Sequence, residues 1–313
     1  MSNLDPGHIP VLPDAVVGLL DPQPGETFVD ATLGRGGHAA KLIPRLAGGT
    51  YLGLDADPAN AEFSRQRLAP IANAYGVTLR VVNANFASIA EDSDPVDGLL
   101  ADLGFASNQV DDPNRGFSFM QDGPLDMRLN TSGGSSGESS GGGGAGELVN
   151  TLSERELADV IYRFGEERLS RRIARKIVEA RGRSPINTTG QLATLCRAAY
   201  GPAAGRSRIH PATRTFQALR IAVNGELDAL DALLAALPGV LAPGGRAAII
   251  SFHSLEDRPV KRRFLELQQT GVAERLTRKP ITAAPEEAAA NPRSRSAKLR
   301  GIRKYAQNDR GLP

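Results

Sequence analysis

The first hundred residues alternate short apolar runs with helix-like segments, and this alternation limits the fold more than any other feature. Four apolar runs end in polar residues, at Asp30, Asp55, Asn83 and Asp102, and helical patterns separate them. Short buried strands joined by helices pair in parallel through right-handed crossovers, because tight turns cannot connect parallel strands. We therefore predict a parallel, Rossmann-like α/β sheet. Its first strands are 27–30, 50–55, 78–83 and 96–102.

A glycine turn follows the first strand. The sequence Asp30-Ala-Thr-Leu-Gly-Arg-Gly-Gly-His38 leads into a helical segment. Its three glycines allow positive φ and leave bare N–H groups at the helix start, where a ligand can bind. Asp55, at the end of the next strand, is placed to accept hydrogen bonds from ribose hydroxyls. The pattern predicts a nucleotide-type cofactor site. The Gly34-Arg-Gly-Gly37 spacing disfavours a nicotinamide dinucleotide, since it lacks the G-x-G-x-x-G frame.

Composition narrows the class of protein. The 313 residues are 41% hydrophobic and 23% charged, which is typical of a soluble globular chain of one or two domains. No run of 18 apolar residues occurs, and the first residues lack the basic and apolar regions of a signal peptide, so we expect a cytoplasmic protein. A single cysteine, Cys196, excludes an internal disulfide, and we expect it to be a buried small side chain. The four histidines lack metal-ligand spacing, so no metal site is predicted.

The strand pattern stops after Asp102 and returns at 247–252, which indicates an insertion. Ser153-Glu-Arg-Glu156 is a capping box that opens a helical block. The segment before it is almost entirely Gly and Ser, which is typical of a flexible loop. The predicted division is an α/β domain over 1–108 and 211–313, an inserted all-helical domain over 109–210, and a flexible loop over 132–146 within the insert.

Positive charge is concentrated in three stretches although the net charge is only +2. Residues 163–183 hold eight basic and three acidic side chains, 206–220 hold four arginines and no acid, and 291–313 hold seven basic residues and one aspartate. Such stretches contact phosphates even in a balanced chain. The distribution favours an anionic partner.

Long motifs, together with the glycine turn, resemble the bacterial family of S-adenosylmethionine-dependent 16S rRNA cytosine-N4 methyltransferases (ribosomal RNA small subunit methyltransferase H, MraW-like). They run nearly from end to end of the chain. The matching segments are His8-Ile-Pro-Val-Leu12, Asp55-Ala-Asp-Pro58, Asp112-Pro-Asn-Arg-Gly-Phe-Ser-Phe-Met120, Asp122-Gly-Pro-Leu-Asp-Met-Arg128, Tyr162-Arg-Phe-Gly-Glu-Glu-Arg168, His210-Pro-Ala-Thr-Arg-Thr-Phe-Gln217, Ser251-Phe-His-Ser-Leu-Glu-Asp257 and Asn291-Pro-Arg-Ser-Arg-Ser296. Two places depart from the family pattern. Phe105-Ala-Ser-Asn108 stands where the family has a small aliphatic residue, two serines and a proline, and 132–146 expands a short family loop.

The resemblance implies the fold of a class I S-adenosylmethionine-dependent methyltransferase with an inserted helical domain. It also implies S-adenosylmethionine as cofactor. The cofactor-binding residues that it implies are Gly36, Gly37, His38, Asp55, Phe86, Asp102 and Gln109.

The implied reaction is methyl transfer to the exocyclic amine of cytosine, a poor nucleophile that must be aligned and must lose a proton. Asp102-Leu-Gly-Phe105 replaces the tetrad with which many amino-methylating enzymes hold the amine. We therefore take Asp102, Ser251 and His253 as catalytic candidates. Residues 251–254 follow a strand that ends at the same edge of the sheet, and a turn and helix-capping role for them is the alternative.

The resemblance also implies the partner, 16S rRNA within an assembled small ribosomal subunit, and a target cytidine in the decoding region near the P site. We expect phosphate contacts from arginines of the insert, from Arg214 and Arg220, and from residues 291–303. Two other readings stay open, a non-catalytic S-adenosylmethionine- and RNA-binding assembly factor and a small-molecule methyltransferase. The oligomeric state is open as well, with a homodimer as one alternative.

Overall fold

A computed structural model of the protein describes residues 9–89, 94–130, 143–206 and 209–306. His8, at the start of one motif, and residues 132–142 of the predicted flexible loop lie outside these ranges. The chain forms two compact units. The first is Met1–Gly104 with Leu227–Pro313, and the second, the helical unit, is Phe105–Glu226.

The first unit contains a seven-stranded sheet in the order β3-β2-β1-β4-β5-β7-β6. Strands β1 to β5 pair in parallel, and β7 runs antiparallel to both β5 and β6. The predicted Rossmann-like α/β sheet is confirmed. The strands are β1 (Thr27–Asp30), β2 (Thr50–Asp55), β3 (Thr78–Asn83), β4 (Val96–Asp102), β5 (Leu241–Ser251), β6 (Ala273–Arg275) and β7 (Lys298–Lys304).

The strand order reverses between β1 and β4, which lie side by side although β2 and β3 come between them in the chain. The connections from β1 and β4 therefore leave in opposite directions and open a crevice at the carboxyl ends of these strands. Open α/β sheets bind ligands at this position. The residues that end β1 and β4, Asp30 and Asp102, lie at that crevice.

Helices cover both faces of the sheet because successive strand residues point to opposite sides. Phe28 and Leu100 pack in one core with the first three helices, whereas Val29 and Leu99 pack in another with two later helices. The helices of this unit are α1 (Pro13–Leu20), α2 (Ala39–Leu46), α3 (Pro58–Ala74), α10 (Glu226–Val240), α11 (Ser254–Gln269) and α12 (Pro285–Ala290).

Among its described residues, the second unit consists of helices, short 3₁₀ turns and loops, and it has its own core. The predicted capping box is present, since Ser153 Oγ accepts the Glu156 N–H at 3.3 Å and Glu156 Oε2 accepts the Ser153 N–H at 2.9 Å. Cys196 is fully buried in this core, as expected. The helices are α4 (Ser107–Asp111), α5 (Ala145–Thr151), α6 (Glu154–Gly165), α7 (Ser170–Arg181), α8 (Thr189–Tyr200) and α9 (Thr213–Asn224).

The helical unit is longer than the predicted insert over 109–210, because it spans 105–226 and includes α9. Helix α9 packs on α6, and Phe216 and Leu219 belong to the same core as the residues of α6. The two helices approach closely at Gly165, where a Cβ atom would lie 2.5 Å from the Arg214 carbonyl oxygen. The arginines of this segment predict an exposed basic surface, but the other side of the helix is buried in the core of the helical unit.

Two further differences concern local structure. The predicted loop over 132–146 ends too late, since Ala145 begins α5 and its N–H donates to the Asp126 carbonyl at 2.6 Å. The basic segment 298–304 is β7, an inner strand of the sheet. In the part of the chain that the structure describes, no helix has the length and apolar character needed to cross a membrane.

Candidate cofactor and active site

The glycine turn connects β1 to α2 and has a backbone that only glycine adopts readily. Gly34 and Gly36 have φ values of 53° and 73°. A Cβ atom on Gly36 would also lie 3.0 Å from Leu68 Cδ1, and one on Gly37 would lie 3.2 Å from Pro10 Cβ. A side chain at Gly36 or Gly37 would therefore have to displace its neighbour, and at Gly34 and Gly36 the positive φ disfavours it as well.

Asp55 holds this turn from the end of β2. Its Oδ2 accepts the Gly34 N–H at 2.7 Å, and its Oδ1 accepts the Asp57 N–H at 2.8 Å. Burial raises the pKa of Asp55 to about 7, and the nearby carboxylates of Asp57 and Asp30 add to the rise, while the two backbone N–H groups oppose it. Each carboxylate oxygen can accept a second hydrogen bond. The predicted ribose contact thus remains open to Asp55 in addition to this structural role.

Asp30 is a site residue for which the sequence motif predicts no role. It is buried at the end of β1, where Tyr51 Oη donates to its Oδ2 at 3.0 Å and the Thr32 N–H donates to its Oδ1 at 3.1 Å. Burial raises the pKa of Asp30 to about 6, and the charge of His38 opposes the rise. A polar residue ending an otherwise apolar strand was the available signal.

Asp102 and His38 face each other at the crevice between β1 and β4. Asp102 Oδ2 lies 3.5 Å from His38 Nε2, and the Asp102 N–H donates to Thr32 Oγ1 at 2.6 Å. Asp102 Oδ1 and His38 Nε2 are buried and make no hydrogen bond to any described residue. A buried polar atom without a partner costs free energy, so both atoms are suited to a ligand that supplies the missing hydrogen bonds.

Phe86 starts a 3₁₀ turn over Phe86–Ser88, just beyond the end of β3. Asn85 caps the turn by accepting the Ala87 N–H at 3.0 Å. The Phe86 side chain is half-buried and packs partly against the core that contains Val29. Its predicted contact with the cofactor base stays a prediction.

Ser251 and His253 make contacts within the sheet unit that serve the local fold. Ser251 is buried and its Oγ donates to the Lys298 carbonyl at 3.4 Å. His253 precedes α11, and its Nε2 lies 3.1 Å from Glu256 Oε1 without hydrogen-bond alignment. Glu256 Oε2 accepts the Phe252 N–H at 2.7 Å and so closes the turn between β5 and α11. A catalytic role for Ser251 and His253 stays a prediction.

Gln109 belongs to the helical unit. Its side chain is buried, and Oε1 accepts the Ala106 N–H at 2.8 Å, which caps α4. The cofactor contact expected of Gln109 stays a prediction. In the sheet unit, by contrast, backbone and side-chain hydrogen bonds join the glycine turn, Asp30, Asp55 and Asp102 into one site.

Comparison with known proteins identifies the family. A sequence model of the MraW methylase family matches residues 5–305. The chain belongs to this family. It is 48% identical over 303 residues to a protein named "Ribosomal RNA small subunit methyltransferase H" from Acidobacterium capsulatum, which covers 95% of this chain and 98% of the relative. Proteins of the same name from Synechococcus sp. strain CC9902 and Deinococcus radiodurans are 50% and 49% identical, covering 95% and 94% of this chain and 97% and 88% of the relatives. An rRNA methylase structure from Streptococcus thermophilus aligns with a TM-score of 0.42 at 11% identity over 94% of this chain and 93% of the other, which is too distant to bear on function.

The site of this MraW-family methylase fits S-adenosylmethionine, the cofactor that the motifs implied. S-adenosylmethionine carries an ammonium group, ribose hydroxyls and a positive sulfonium. The site offers the spare acceptor positions of Asp55, the Asp102 carboxylate and the buried carboxylate of Asp30. Hydrogen-bond donors and positive charge meet acceptors and negative charge. The glycine turn, Asp55 and Asp102 are the residues that would hold it.

Two arginines that the sequence predicts to contact phosphates instead form buried ion pairs within the methylase. Arg220 is 8% exposed and forms a two-point ion pair with Glu226 at 2.8 and 2.9 Å. Arg300 is 6% exposed and pairs with Asp257 at 2.7 and 3.2 Å. The expectation is wrong for both, because a buried guanidinium with a carboxylate partner is not available to RNA. Arg293 and Arg295, in the same basic stretch as Arg300, are exposed.

Proposed function

We propose that this protein transfers the methyl group of S-adenosylmethionine to the exocyclic N4 of a cytidine in 16S rRNA, in the decoding region of the small ribosomal subunit near the P site. Family membership and the names of the relatives support small-subunit rRNA as the substrate. The long motifs support the cytidine and its location through the resemblance described above. The observation that carries the proposal is Asp102 Oδ1, buried at the end of β4 without a hydrogen-bond partner among the described residues.

Asp102 has the position and chemistry to act on the amine. When bound, S-adenosylmethionine supplies an electrophilic methyl group on a sulfonium. The lone pair of the cytosine N4 is delocalised into the ring, so the nitrogen must be oriented and its N–H polarised. Asp102 Oδ1 would accept a hydrogen bond from this N–H and take the proton that the nitrogen loses as its bond to the methyl carbon forms and the methyl–sulfur bond breaks, leaving a neutral thioether. His38 Nε2, 3.5 Å from Asp102 Oδ2, lies next to this carboxylate.

Exposed arginines supply the charge for binding RNA. Arg171, Arg172 and Arg175 lie on the exposed face of α7, whereas Ile173 and Ile177 on its other face are buried. Within the sheet unit, Arg293 and Arg295 are exposed on the 3₁₀ turn over Pro292–Ser296. Such side chains bind phosphates independently of sequence and hold the RNA while the target base leaves its stack. We place this work in the cytoplasm, where bacterial small subunits are assembled.

The test is methylation of small subunits purified from cells that lack the enzyme. Labelled S-adenosylmethionine measures turnover, and nuclease digestion followed by mass spectrometry identifies the modified nucleoside and its position. We expect N4-methylcytidine in the decoding region. Asp102→Asn keeps the side-chain size but removes the proton acceptor, so we expect kcat to fall about 10²- to 10⁴-fold, the usual contribution of general acid–base catalysis.

Asp231→Asn is the matched control, because Asp231 is exposed on α10 and should leave kcat unchanged. Binding of S-adenosylmethionine without any methylated product from the wild-type protein would support the assembly-factor reading instead. Equal activity on free cytidine and on subunits would support a small-molecule methyltransferase. Wild-type kcat in Asp102→Asn would remove Asp102 from the reaction.

A further inference from the structure

Phe105 begins the helical unit, and its side chain is exposed. Its relative exposure is 43%, and no other phenylalanine among the described residues is exposed. The residue follows Gly104, whose φ of 110° is accessible only to glycine and turns the chain away from the end of β4. It also stands where the chain departs from the family pattern. Burial in a core does not account for an aromatic ring at this position.

The ring of Phe105 is held by a stack of planar groups inside the helical unit. The Arg220 guanidinium carbon lies 4.5 Å from the centre of the Phe105 ring. The Phe117 ring is stacked at a centroid distance of 6.1 Å with an interplanar angle of 23°. Arg115 in turn lies 5.8 Å from the centre of the Phe117 ring. The four side chains form what we call the Phe105 stack: Arg220, Phe105, Phe117 and Arg115.

Both arginines of the Phe105 stack are fixed by other contacts. Glu226 holds Arg220 through two hydrogen bonds, and Arg115 Nη2 donates to the carbonyl oxygens of Arg128 and Leu129 at 3.1 and 3.0 Å. Arg220 is itself buried, and beside the contacts with Arg220 and Phe117 the Phe105 residue keeps 43% of its surface exposed. The exposed aromatic surface is therefore rigid and already in place before any ligand arrives.

We propose that Phe105 is a stacking platform for an unpaired base of the rRNA substrate. This inference rests on the proposed function, which makes RNA the ligand of the protein. Sequence-tolerant recognition of single-stranded RNA combines basic side chains with aromatic rings on which bases stack. A target base that leaves its stack also exposes the faces of its neighbours, and a rigid exposed ring replaces a lost stacking partner. Ordering costs little because the ring is already fixed.

The test compares Phe105→Leu with the wild-type protein on small subunits. Stacking of a base on an aromatic ring corresponds to about a 5- to 150-fold change in binding, so we expect kcat/KM to fall by a factor in this range, mainly through KM. The calorimetric Kd for S-adenosylmethionine and the thermal midpoint should remain those of the wild type. Phe105→Trp, which keeps a planar aromatic face, should restore activity.

Salt dependence separates stacking from charge. Because stacking releases no counterions, Phe105→Leu should raise KM by the same factor at every salt concentration. Arg171→Ala removes an exposed cation from α7 and should lower the slope of log KM against log salt by about one. Tyr75→Leu is the matched control, since Tyr75 is 46% exposed at the end of α3 and its loss should leave KM unchanged.

Several outcomes overturn the platform while leaving the proposed function intact. They are wild-type kcat/KM in Phe105→Leu, an equal loss in Tyr75→Leu, no recovery in Phe105→Trp, or a weakened Kd for S-adenosylmethionine, which would make Phe105 part of the cofactor site. If leucine lowers the thermal midpoint, Phe105→Met fills a similar volume without an aromatic face and provides the same comparison. A wild-type protein that forms no N4-methylcytidine would instead overturn the proposed function.

Discussion

Asp55→Asn should reverse its effect on stability between acid and neutral pH. The carboxylate accepts two backbone N–H groups, from Gly34 and Asp57. An asparagine has one acceptor oxygen, so one buried N–H loses its partner at a cost of about 1–3 kcal/mol at every pH. The same substitution also removes a partly buried negative charge, and this second effect depends on pH.

The charge effect follows from the raised pKa. Burial raises the pKa of Asp55 from its ordinary value of 3.8 to about 7 in the folded protein, so between these values the folded state binds a proton that the unfolded state has lost. Stability of the wild type therefore falls as pH rises from 3.8 towards 7. A shift of about 3 units corresponds to about 4 kcal/mol, fully expressed above pH 7 and nearly absent at pH 4.

The variant is thus expected to be less stable than the wild type at pH 4 and more stable at pH 8. Urea unfolding of the ligand-free protein at pH 4, 5, 6, 7 and 8 measures the difference. Asp14→Asn is the control, because Asp14 is exposed, and its pH profile should run parallel to that of the wild type. A parallel profile for Asp55→Asn itself would refute the assignment of a buried, proton-binding Asp55.

Two further substitutions test the glycine turn and the basic strand. Gly36→Ala places a Cβ atom 3.0 Å from Leu68 at a φ of 73°. It should lower the free energy of unfolding by about 1–2 kcal/mol and weaken the binding of S-adenosylmethionine measured by calorimetry. Gly18→Ala, in an open position of α1, is the control and should raise the free energy of unfolding by about 1 kcal/mol. Equal stability of the two variants would contradict the packing argument. Arg300→Ala leaves Asp257 without its main partner and should lower the free energy of unfolding in urea by about 3–5 kcal/mol. Arg295→Ala, at an exposed position, should change this free energy by less than about 0.5 kcal/mol and should raise KM for small subunits. If Arg300→Ala were as stable as the wild type but had a raised KM, Arg300 would contact RNA after all.

The first strands and the glycine turn could be predicted because their signals are local. Runs such as Val96 to Asp102 are apolar and end in a polar residue, and the predicted bounds of the first four strands agree with the structure. The same logic placed Asp55 and Asp102 at the edge of the sheet. Physical constraints within ten residues were sufficient here.

The last strand and the ninth helix were missed because carboxylate partners neutralise their buried arginines. Arg300 lies in a strand because Asp257, 43 residues earlier, pairs with it, and Arg220 is buried because Glu226 accepts both of its hydrogen bonds. Asp257 lies outside any local sequence window around Arg300, whereas Glu226 lies within one around Arg220 but its pairing depends on how the chain turns after the helix, so both segments resembled exposed basic surface. The role of Asp30 was missed for a similar reason, since it depends on Tyr51 and His38 across the sheet and the turn.

The position of the helical unit within the chain has a consequence for the order of folding. Strand β4 ends before this unit and β5 comes after it, yet the two pair along Gly98 to Asp102 with residues 246–250. The last strand, β7, lies between β5 and β6, so the sheet is complete only when residue 304 is available. Closing so long a loop is slow when the loop is unfolded. Early folding of the helical unit, which has its own core, would bring its two ends to fixed positions and shorten the search, so during synthesis the insert should become protected from hydrogen exchange before β4 does.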